Sequence, residues 1–250
     1  MFIFWKLYVL PWGQMSLWGN FVPQMADLDN NLLISLNTLP FIKPKTRAQK
    51  RIGPHNQDVI SVIMGSMLGD SYAEKHGEGT RFNFQQEESN VEYLVWFHRF
   101  LVERGYCSDN KPKISTRLGK NSKVRYLYRF KTFTFTSFDP IRELFYKNGV
   151  KVVPNNIGEY LTPLALAVWI QDDGGKASAG LKIATNCFTI QEVEYLCSVL
   201  NDKYKLNSRS QSAGAPNQNI IYFPKSSMST LSKLVKPYMV SSMYYKLNGY

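Results

Sequence analysis

Histidine and cysteine are scarce in this sequence, and neither is arranged as a metal site or a disulfide framework. The three cysteines, Cys107, Cys187 and Cys197, lie far apart, and no Cys-x-x-Cys spacing occurs. The three histidines form no His-Glu-x-x-His or His-x-His cluster. These absences argue against a zinc site and favour a reducing compartment.

Long apolar runs are also missing. The most apolar stretch, residues 1–22, is interrupted by Lys6, Pro11, Gly13 and Gln14, so it falls short of the roughly 20 apolar residues that a membrane span needs. It has no clear signal-peptide cleavage site, and its composition differs from that of an Arg- and Ser-rich transit peptide. We therefore expect no functional membrane insertion.

Acidic residues are fewer than basic residues in this sequence. The 250 residues include 30 Lys and Arg against 19 Asp and Glu, which gives a net charge of +11. This charge suits a polyanion, either nucleic acid or an anionic membrane surface, although a merely soluble basic protein would have it too. A hydrophobic content of 44% indicates a folded chain of one large or two small domains.

The most informative stretch lies near the middle of the chain. An apolar run over residues 161–170 predicts a helix that ends in Gln171-Asp172-Asp173-Gly174-Gly175. Two adjacent carboxylates after an apolar segment are costly unless they meet a cation or water. The two glycines predict a sharp turn directly after the acids.

A weaker copy of this pattern occurs at residues 63–71 and ends in Asp70, which precedes Asp173 by 103 residues. The predicted helix over residues 58–68 has Ser61, Gly65 and Gly69 in one stripe, so another helix could approach it closely. Two such helices packed together would bring Asp70 and Asp173 side by side.

The order of elements recurs after each acid. Residues 80–86, 111–118, 123–135, 181–186, 207–211 and 219–223 predict strands, and residues 90–104, 139–146, 189–204 and 226–236 predict helices. The natural interpretation is a duplicated α+β unit with a period near 100 residues. The predicted segments are a leader (1–19), a polar and basic linker with a short helix at 27–36 (20–56), and two repeats (57–154 and 155–250).

Paired carboxylates without histidine or cysteine favour Mg²⁺, which can assist phosphodiester hydrolysis. Alternating strands would present polar side chains to DNA on one face. The candidate DNA-binding residues are Arg81, Asn83, Gln85, Lys113, Arg117, Arg125, Arg129 and Lys182. A solvated sheet face is the alternative for all of them.

Residues 63–71 and 166–174 resemble the two motifs of the monomeric, two-repeat LAGLIDADG homing endonucleases and intron maturases. Residues 153–156, 160–163, 175–176, 192–196, 236–238 and 243–247 are also similar to this family. Val168 and Trp169 depart from it, because the second motif lacks the usual glycine and leucine there. The resemblance implies two pseudo-symmetric αββαββα repeats joined by paired motif helices, with curved antiparallel sheets forming a DNA-binding saddle.

The resemblance also implies roles for particular residues. Asp70 and Asp173 would bind Mg²⁺, for which Mn²⁺ could substitute, assisted by the carbonyls of Gly69 and Asp172. The lysines at matching positions, Lys151 and Lys246, would polarise water or stabilise the transition state. An ordinary helix-terminal acid is an equal alternative for Asp172, and a solvated surface lysine is the alternative for the other two.

Residues 8–19 resemble a segment of mitochondrial cytochrome b, as though a reading frame ran from an exon into an intron. This predicts a mitochondrial protein whose leader contributes little to function, so that a truncation starting near Arg51 keeps activity. We expect a monomeric endonuclease that cuts a long asymmetric site in the intronless cytochrome b allele and so spreads its intron. The alternatives are a maturase that binds its own group I intron RNA, or a DNA-binding repressor without nuclease activity.

Overall fold

The computed structural model describes residues 46–119 and 123–250. The cytochrome b-like leader and residues 20–45 of the linker, with the helix expected at residues 27–36, lie outside the described residues. Within the described part of the chain, every helix is too short or too polar to cross a bilayer.

The first half of the chain forms one α+β unit. Its elements are α1 (Gln57–Leu68), β1 (Tyr72–His76), β2 (Gly79–Glu87), α2 (Val91–Glu103), β3 (Lys113–Leu118), β4 (Val124–Lys131) and α3 (Asp139–Phe145). The four strands form an antiparallel sheet in the order β1-β2-β4-β3. A short hairpin of β5 (Tyr146–Lys147) and β6 (Val150–Lys151) follows.

The second half repeats this order. After the short α4 (Ile157–Tyr160), its elements are α5 (Pro163–Asp173), β7 (Gly174–Ala177), β8 (Gly180–Ala184), α6 (Ile190–Tyr204), β9 (Arg209–Ser212), β10 (Asn219–Phe223) and α7 (Lys225–Val235). The strand order β7-β8-β10-β9 is the same as in the first sheet. The predicted duplicated α+β fold with antiparallel sheets is therefore confirmed.

Four strands were missing from the predicted pattern: β1, β7 and the two-residue strands β5 and β6. β1 and β7 begin directly after the acidic motifs, and each forms an edge of its sheet. The prediction that Gly174 makes a sharp turn is wrong, because its φ and ψ are −73° and 149°, and it starts β7. Glycine is needed there for space: a Cβ would lie 2.4 Å from the carbonyl oxygen of Ile170.

The start of α5 also differs from the prediction. The helix begins at Pro163 rather than at residue 161, because Thr162 caps it by accepting a hydrogen bond from the backbone N–H of Ala165 at 3.1 Å. Proline at the first helical position has no N–H to leave unpaired. The helix then runs to Asp173, the second acid of the motif.

α1 and α5 pack against each other in the centre of the core, where Val62, Ile63, Leu166 and Ile170 are fully buried. Apolar residues are spread around both helices and do not form a single stripe, because each helix is buried on nearly all sides. Phe82 and Phe84 of β2 also point into this core, whereas the alternate residues of β2 are at the opposite face. Each sheet therefore has one apolar face covered by helices and one polar face.

The end of the predicted linker contacts the first repeat. Arg51 is 6% exposed and donates a hydrogen bond to the carbonyl of Thr134 at 3.1 Å. The His55 ring lies against Phe138 and hydrogen-bonds Tyr106 at 3.0 Å and Ser137 at 2.9 Å. A truncation that keeps activity must therefore preserve Arg51 and His55.

Burial lowers the pKa of His55 to about 4, against a weaker upward effect of its hydrogen bond near Ser137. Because only the unfolded state takes up a proton as the pH falls from 6.5 to about 4, stability should decline through this window, by at most about 3 kcal/mol. Urea unfolding at pH 7 and pH 5 should show a smaller decline for His55→Asn. The exposed His76→Asn should behave like the wild type, and equal declines in all three proteins would contradict the assignment.

Candidate active site

Close packing of α1 and α5 brings their C-terminal acids together. A Cβ on Gly65 would lie 2.2 Å from the carbonyl oxygen of Ala165, and one on Gly69 would lie 2.6 Å from the Cβ of Asp172. The predicted stripe of small residues therefore marks the helix contact. This contact places Asp70, Asp172 and Asp173 in one acidic cluster, in which the charges of Asp70 and Asp173 raise the pKa of Asp172 and the charge of Asp70 raises that of Asp173.

Asp173 is the half-buried acid at the end of α5. Burial and, after it, the nearby charge of Asp70 raise its pKa to about 7, although Lys151 and Lys246 act in the opposite direction. A carboxylate with so high a pKa gains strongly from a bound cation, because the cation removes the repulsion that favours protonation.

Asp172 lies inside the helix contact rather than on the surface. Its Oδ1 accepts a hydrogen bond from Gln86 Nε2 at 3.2 Å, whereas its buried Oδ2 makes no hydrogen bond within the described part of the chain. Burial, followed by repulsion from Asp70 and Asp173, raises its pKa well above the usual carboxyl range. Asp172 is thus not an ordinary exposed acid at the end of a helix.

Gln86 connects the acids of the two repeats. Its Nε2 also donates to Asp70 Oδ2 at 2.7 Å, and its Oε1 accepts from Asn90 Nδ2 at 3.1 Å. Sequence reasoning did not select Gln86, although a signal was present. It follows Phe82 and Phe84 in the apolar register of β2, where a polar side chain needs a buried partner.

Asp172→Asn is expected to stabilise the metal-free protein at pH 8. Asparagine removes the buried negative charge and can still accept from Gln86, so we expect a gain of about 1–3 kcal/mol in the free energy of unfolding. The gain should shrink towards pH 5, because a raised folded-state pKa costs stability as the pH rises above the unfolded value. Urea unfolding checks this, with the exposed Asp202→Asn as control; a loss of stability at pH 8 would contradict it.

Lys151 and Lys246 bind the ends of the two acidic helices. Lys151 Nζ donates to the carbonyls of Gly69 at 2.9 Å and Ser71 at 3.0 Å. Lys246 is 4% exposed, and its Nζ donates to three carbonyls at 3.3, 2.5 and 3.2 Å: those of Ile170, Gln171 and Asp172. Burial lowers the pKa of both lysines, and the nearby acids partly offset this. The alternative of solvated surface lysines is therefore excluded.

The carbonyls of Gly69 and Asp172, which the sequence suggested as metal ligands, accept hydrogen bonds from these lysines. A carbonyl oxygen has a second lone pair, but an ammonium group on the first weakens its attraction for a cation. Their role as ligands stays a prediction. The contacts do satisfy carbonyls at the helix ends, which have no partner within the helix.

The donors at this site suit a hard divalent cation. Asp70 and Asp173 supply carboxylate oxygens, and the buried carboxylate of Asp172 adds negative charge beside them. Within residues 46–119 and 123–250, no three His, Cys, Asp or Glu side chains are grouped closely enough to hold an ion by themselves. Mg²⁺ fits such a site, because it keeps several waters and also binds phosphate oxygens.

The polar face of the first sheet carries most of the predicted DNA-binding residues. The strand register pairs Gln85 with Arg129, and Arg129 with Lys113. These three residues, with Arg81 and Asn83, line one groove of about 410 Å³. Arg117 and Arg125 pair further along the same hairpin.

Two of these arginines already have acidic partners. Arg81 Nε forms an ion pair with Glu74, and Arg125 Nη1 lies 2.9 Å from Glu87 Oε1. Glu74 is a functional candidate that sequence reasoning missed, because β1 was not predicted as a strand. Its carboxylate orients Arg81 within the groove, and such an orientation suits hydrogen bonding to a base edge.

The second sheet presents a corresponding polar face. Lys182 is exposed on β8 and lies opposite Tyr222, which in turn pairs with Arg209. The guanidinium of Arg209 is 5.1 Å from the centre of the Tyr222 ring. Arg209 and Tyr222 extend the surface that the sequence assigned to Lys182 alone.

The sequence model of the LAGLIDADG DNA endonuclease family matches residues 60–231, which include both acidic helices and both sheets. The chain belongs to this family. Its α+β fold is the two-repeat saddle of LAGLIDADG proteins, with one acidic motif helix from each repeat at the centre.

Three relatives of the chain carry two kinds of name. The chain is 45% identical over 230 residues to the cytochrome b mRNA maturase bI2 of Saccharomyces cerevisiae, covering 88% of this chain and 53% of the yeast protein. It is 46% identical over 199 residues to bI2 of Debaryomyces hansenii, covering 79% and 76%. The intron-encoded endonuclease ai4 of Dictyostelium discoideum is 46% identical over 154 residues, covering 60% and 97%.

A solved LAGLIDADG structure matches most of the fold. The homing endonuclease I-WcaI bound to its DNA recognition sequence superposes with a TM-score of 0.72 at 26% identity, covering 82% of this chain and 94% of I-WcaI. Both endonuclease and maturase are thus represented among similar proteins. The chain spans about half the length of the yeast maturase that it matches.

Proposed function

We propose that this LAGLIDADG protein is a site-specific endonuclease that cuts both strands of the intronless cytochrome b allele and so promotes intron homing. The observation that carries the proposal is the meeting of Asp70 and Asp173, one from each repeat, at the contact between α1 and α5. One chain supplies both acids, so a monomer suffices. The location would be the mitochondrion, in keeping with the cytochrome b-like residues 8–19.

DNA binding would use the polar faces of the two sheets. Cationic side chains such as Lys113, Arg129 and Lys182 would bind phosphates, whereas Asn83 and Gln85 suit base edges. The two faces carry different side chains, which favours a long asymmetric target. Rim residues beside the acids would then hold one phosphodiester bond of each strand close to Asp70 and Asp173.

The acids would hold the Mg²⁺, or Mn²⁺ in its place. Such an ion lowers the pKa of a bound water and stabilises charge on the phosphate and the leaving oxygen. Lys151 and Lys246 would keep the two helix ends, and therefore Asp70 and Asp173, at a fixed separation. Their positive charges also favour the ionised form of Asp173 and would stabilise negative charge in the transition state.

Incubating the purified protein with Mg²⁺ and a plasmid that carries the joined cytochrome b exons tests this function. We expect linear product, and none from a plasmid in which the intron interrupts the exons. The absence of any cut in the first plasmid, with DNA binding intact, would reject the endonuclease and leave a DNA-binding repressor.

A second candidate function is a maturase that assists splicing of its own group I intron. It is favoured by the two relatives at 45% and 46% identity, both named cytochrome b mRNA maturase. This role would not need Asp70 or Asp173. Splicing of the precursor RNA at equal rates with and without the protein would reject it.

A further inference from the structure

The last part of the chain is free of acidic side chains. From residue 203 to residue 250 the sequence contains no Asp or Glu, whereas it contains seven cationic residues: Lys203, Lys205, Arg209, Lys225, Lys233, Lys236 and Lys246. Arg209 belongs to the polar sheet face, and Lys246 is buried at the active site. The other five are exposed, and the site described above uses none of them.

Three of these lysines lie on or next to α7, on the side of the protein away from the DNA face. The helix buries Met228, Leu231 and Val235 and packs on β8. The residues of β8 that face the core are Leu181 and Ile183, whereas Lys182 between them points to the opposite face. The outer surface of α7 therefore looks away from the surface proposed to bind DNA.

This outer surface contains a groove of about 550 Å³, which we call the α7 groove; it is lined by Ser229, Lys233, Lys236, Tyr244 and Tyr250, among others. Lys236 Nζ lies 5.3 Å from the centre of the Tyr244 ring and donates to the carbonyl of Tyr250 at 3.1 Å. Hydroxyl, ammonium and aromatic groups are thus held together along one groove.

The cationic character is particular to the second repeat. The counterpart of α7 in the first repeat is α3, which contains Asp139 and Glu143. Asp139 pairs with Lys75 at 2.6 Å, so charge is balanced there. The fold as such does not require a cationic third helix, because α3 fills the same place without one.

The exposed large hydrophobic side chains beside the groove favour a nucleic acid over a membrane as the partner. Within residues 203–250 they are all tyrosines: Tyr238, Tyr244 and Tyr245. Tyrosine rings stack on unpaired bases, and neighbouring lysines neutralise phosphates. Binding at a bilayer surface ordinarily uses exposed Leu, Phe or Trp, and none is exposed in this region.

We propose that the α7 groove is an RNA-binding site for unpaired nucleotides of a folded RNA, separate from the DNA-binding sheets; this rests on the proposed maturase function. Phosphates would contact Lys233 and Lys236, and bases would stack on Tyr244 and its neighbours. The two nucleic acids would therefore bind at opposite sides of the second repeat.

The test compares three double variants of the full chain, each with the same change in charge. Lys233→Glu with Lys236→Glu alters the α7 groove, and Lys113→Glu with Lys182→Glu alters the DNA face. The matched control, Arg99→Glu with Lys147→Glu, changes exposed cations elsewhere. Each is assayed for binding of cytochrome b precursor RNA, for splicing and for plasmid cleavage, with thermal unfolding as a check on folding.

We expect the groove variant to bind RNA at least about tenfold more weakly and with a shallower salt dependence, because phosphate contacts are lost. Its cleavage of DNA should stay within about twofold of the wild type, whereas the DNA-face variant should show the reverse pattern. A groove variant that binds RNA as well as the wild type would overturn the proposed site while leaving the maturase function standing.

Wild-type protein that binds the precursor RNA no better than an unrelated RNA would instead reject the maturase function itself. Phosphatidylserine vesicles serve as the competing partner. If the groove variant lost vesicle binding but kept RNA binding, the groove would be a membrane site and the proposal would be wrong.

Discussion

Asp70→Asn and Asp173→Asn are each expected to reduce double-strand cleavage of the target plasmid at least about 1000-fold. Asparagine has nearly the same shape but no negative charge, so it cannot hold a divalent cation in the same way. Because Asp173 already sits where burial and Asp70 raise its pKa to about 7, removing either charge should not harm the fold. The measurement follows the conversion of supercoiled plasmid to nicked and linear forms.

DNA binding separates this loss from a loss of structure. Both variants should shift the target DNA in gels at least as well as the wild type, since less negative charge faces the phosphates. Asp202→Asn, an exposed acid on α6, should cut at the normal rate. Normal double-strand cleavage by either variant would show that these acids are not the metal-binding pair.

Lys246→Met is expected to lower the free energy of unfolding by about 3 kcal/mol or more. The substitution preserves most of the side-chain volume but leaves the carbonyls of Ile170, Gln171 and Asp172 without their shared donor. It also removes a positive charge that lowers the pKa of Asp173. Urea unfolding at pH 7 measures the loss.

Exposed Lys233→Met is the matched control and should change stability by less than about 0.5 kcal/mol. Cleavage by Lys246→Met should be measured at low temperature, where the variant stays folded. Wild-type stability in this variant would contradict the structural role of the lysine. If Lys246→Met kept wild-type stability but lost cleavage, Lys246 would act in the chemistry alone.

Much of the fold could be predicted because its signals are local. Alternating polar and apolar residues mark β2 and β4, and the similar order of elements after Asp70 and Asp173 marks the duplication. β1 and β7 were not predicted because they are short edge strands without a clear alternating pattern. They form because they pair with β2 and β8. For the same reason, the sequence predicts a turn at the glycines of β7 and not a strand.

Some residues of the candidate site could be predicted from the sequence, and others could not. The acids Asp70 and Asp173 could be predicted because a carboxylate after an apolar helix is unusual in any sequence. The position of Asp172 could not, because its burial depends on the space left by Gly69 in another helix. Gln86 was overlooked since its two acidic partners lie on different elements.

The sequence by itself determined which residues carry charge, which faces are apolar and how the elements repeat, because these properties depend on neighbours a few positions away. The tertiary structure alone decided that the lysines hold carbonyls, that Gln86 joins the acids and that Arg51 and His55 belong to the folded body. Apart from the hydrogen bond between Gln86 and Asp70, which spans 16 positions, these contacts join residues 51 to 86 positions apart. Most of these contacts form only when a whole repeat has folded, and the Gln86–Asp172 contact also requires α1 to pack against α5. Local sequence patterns contain no record of either event.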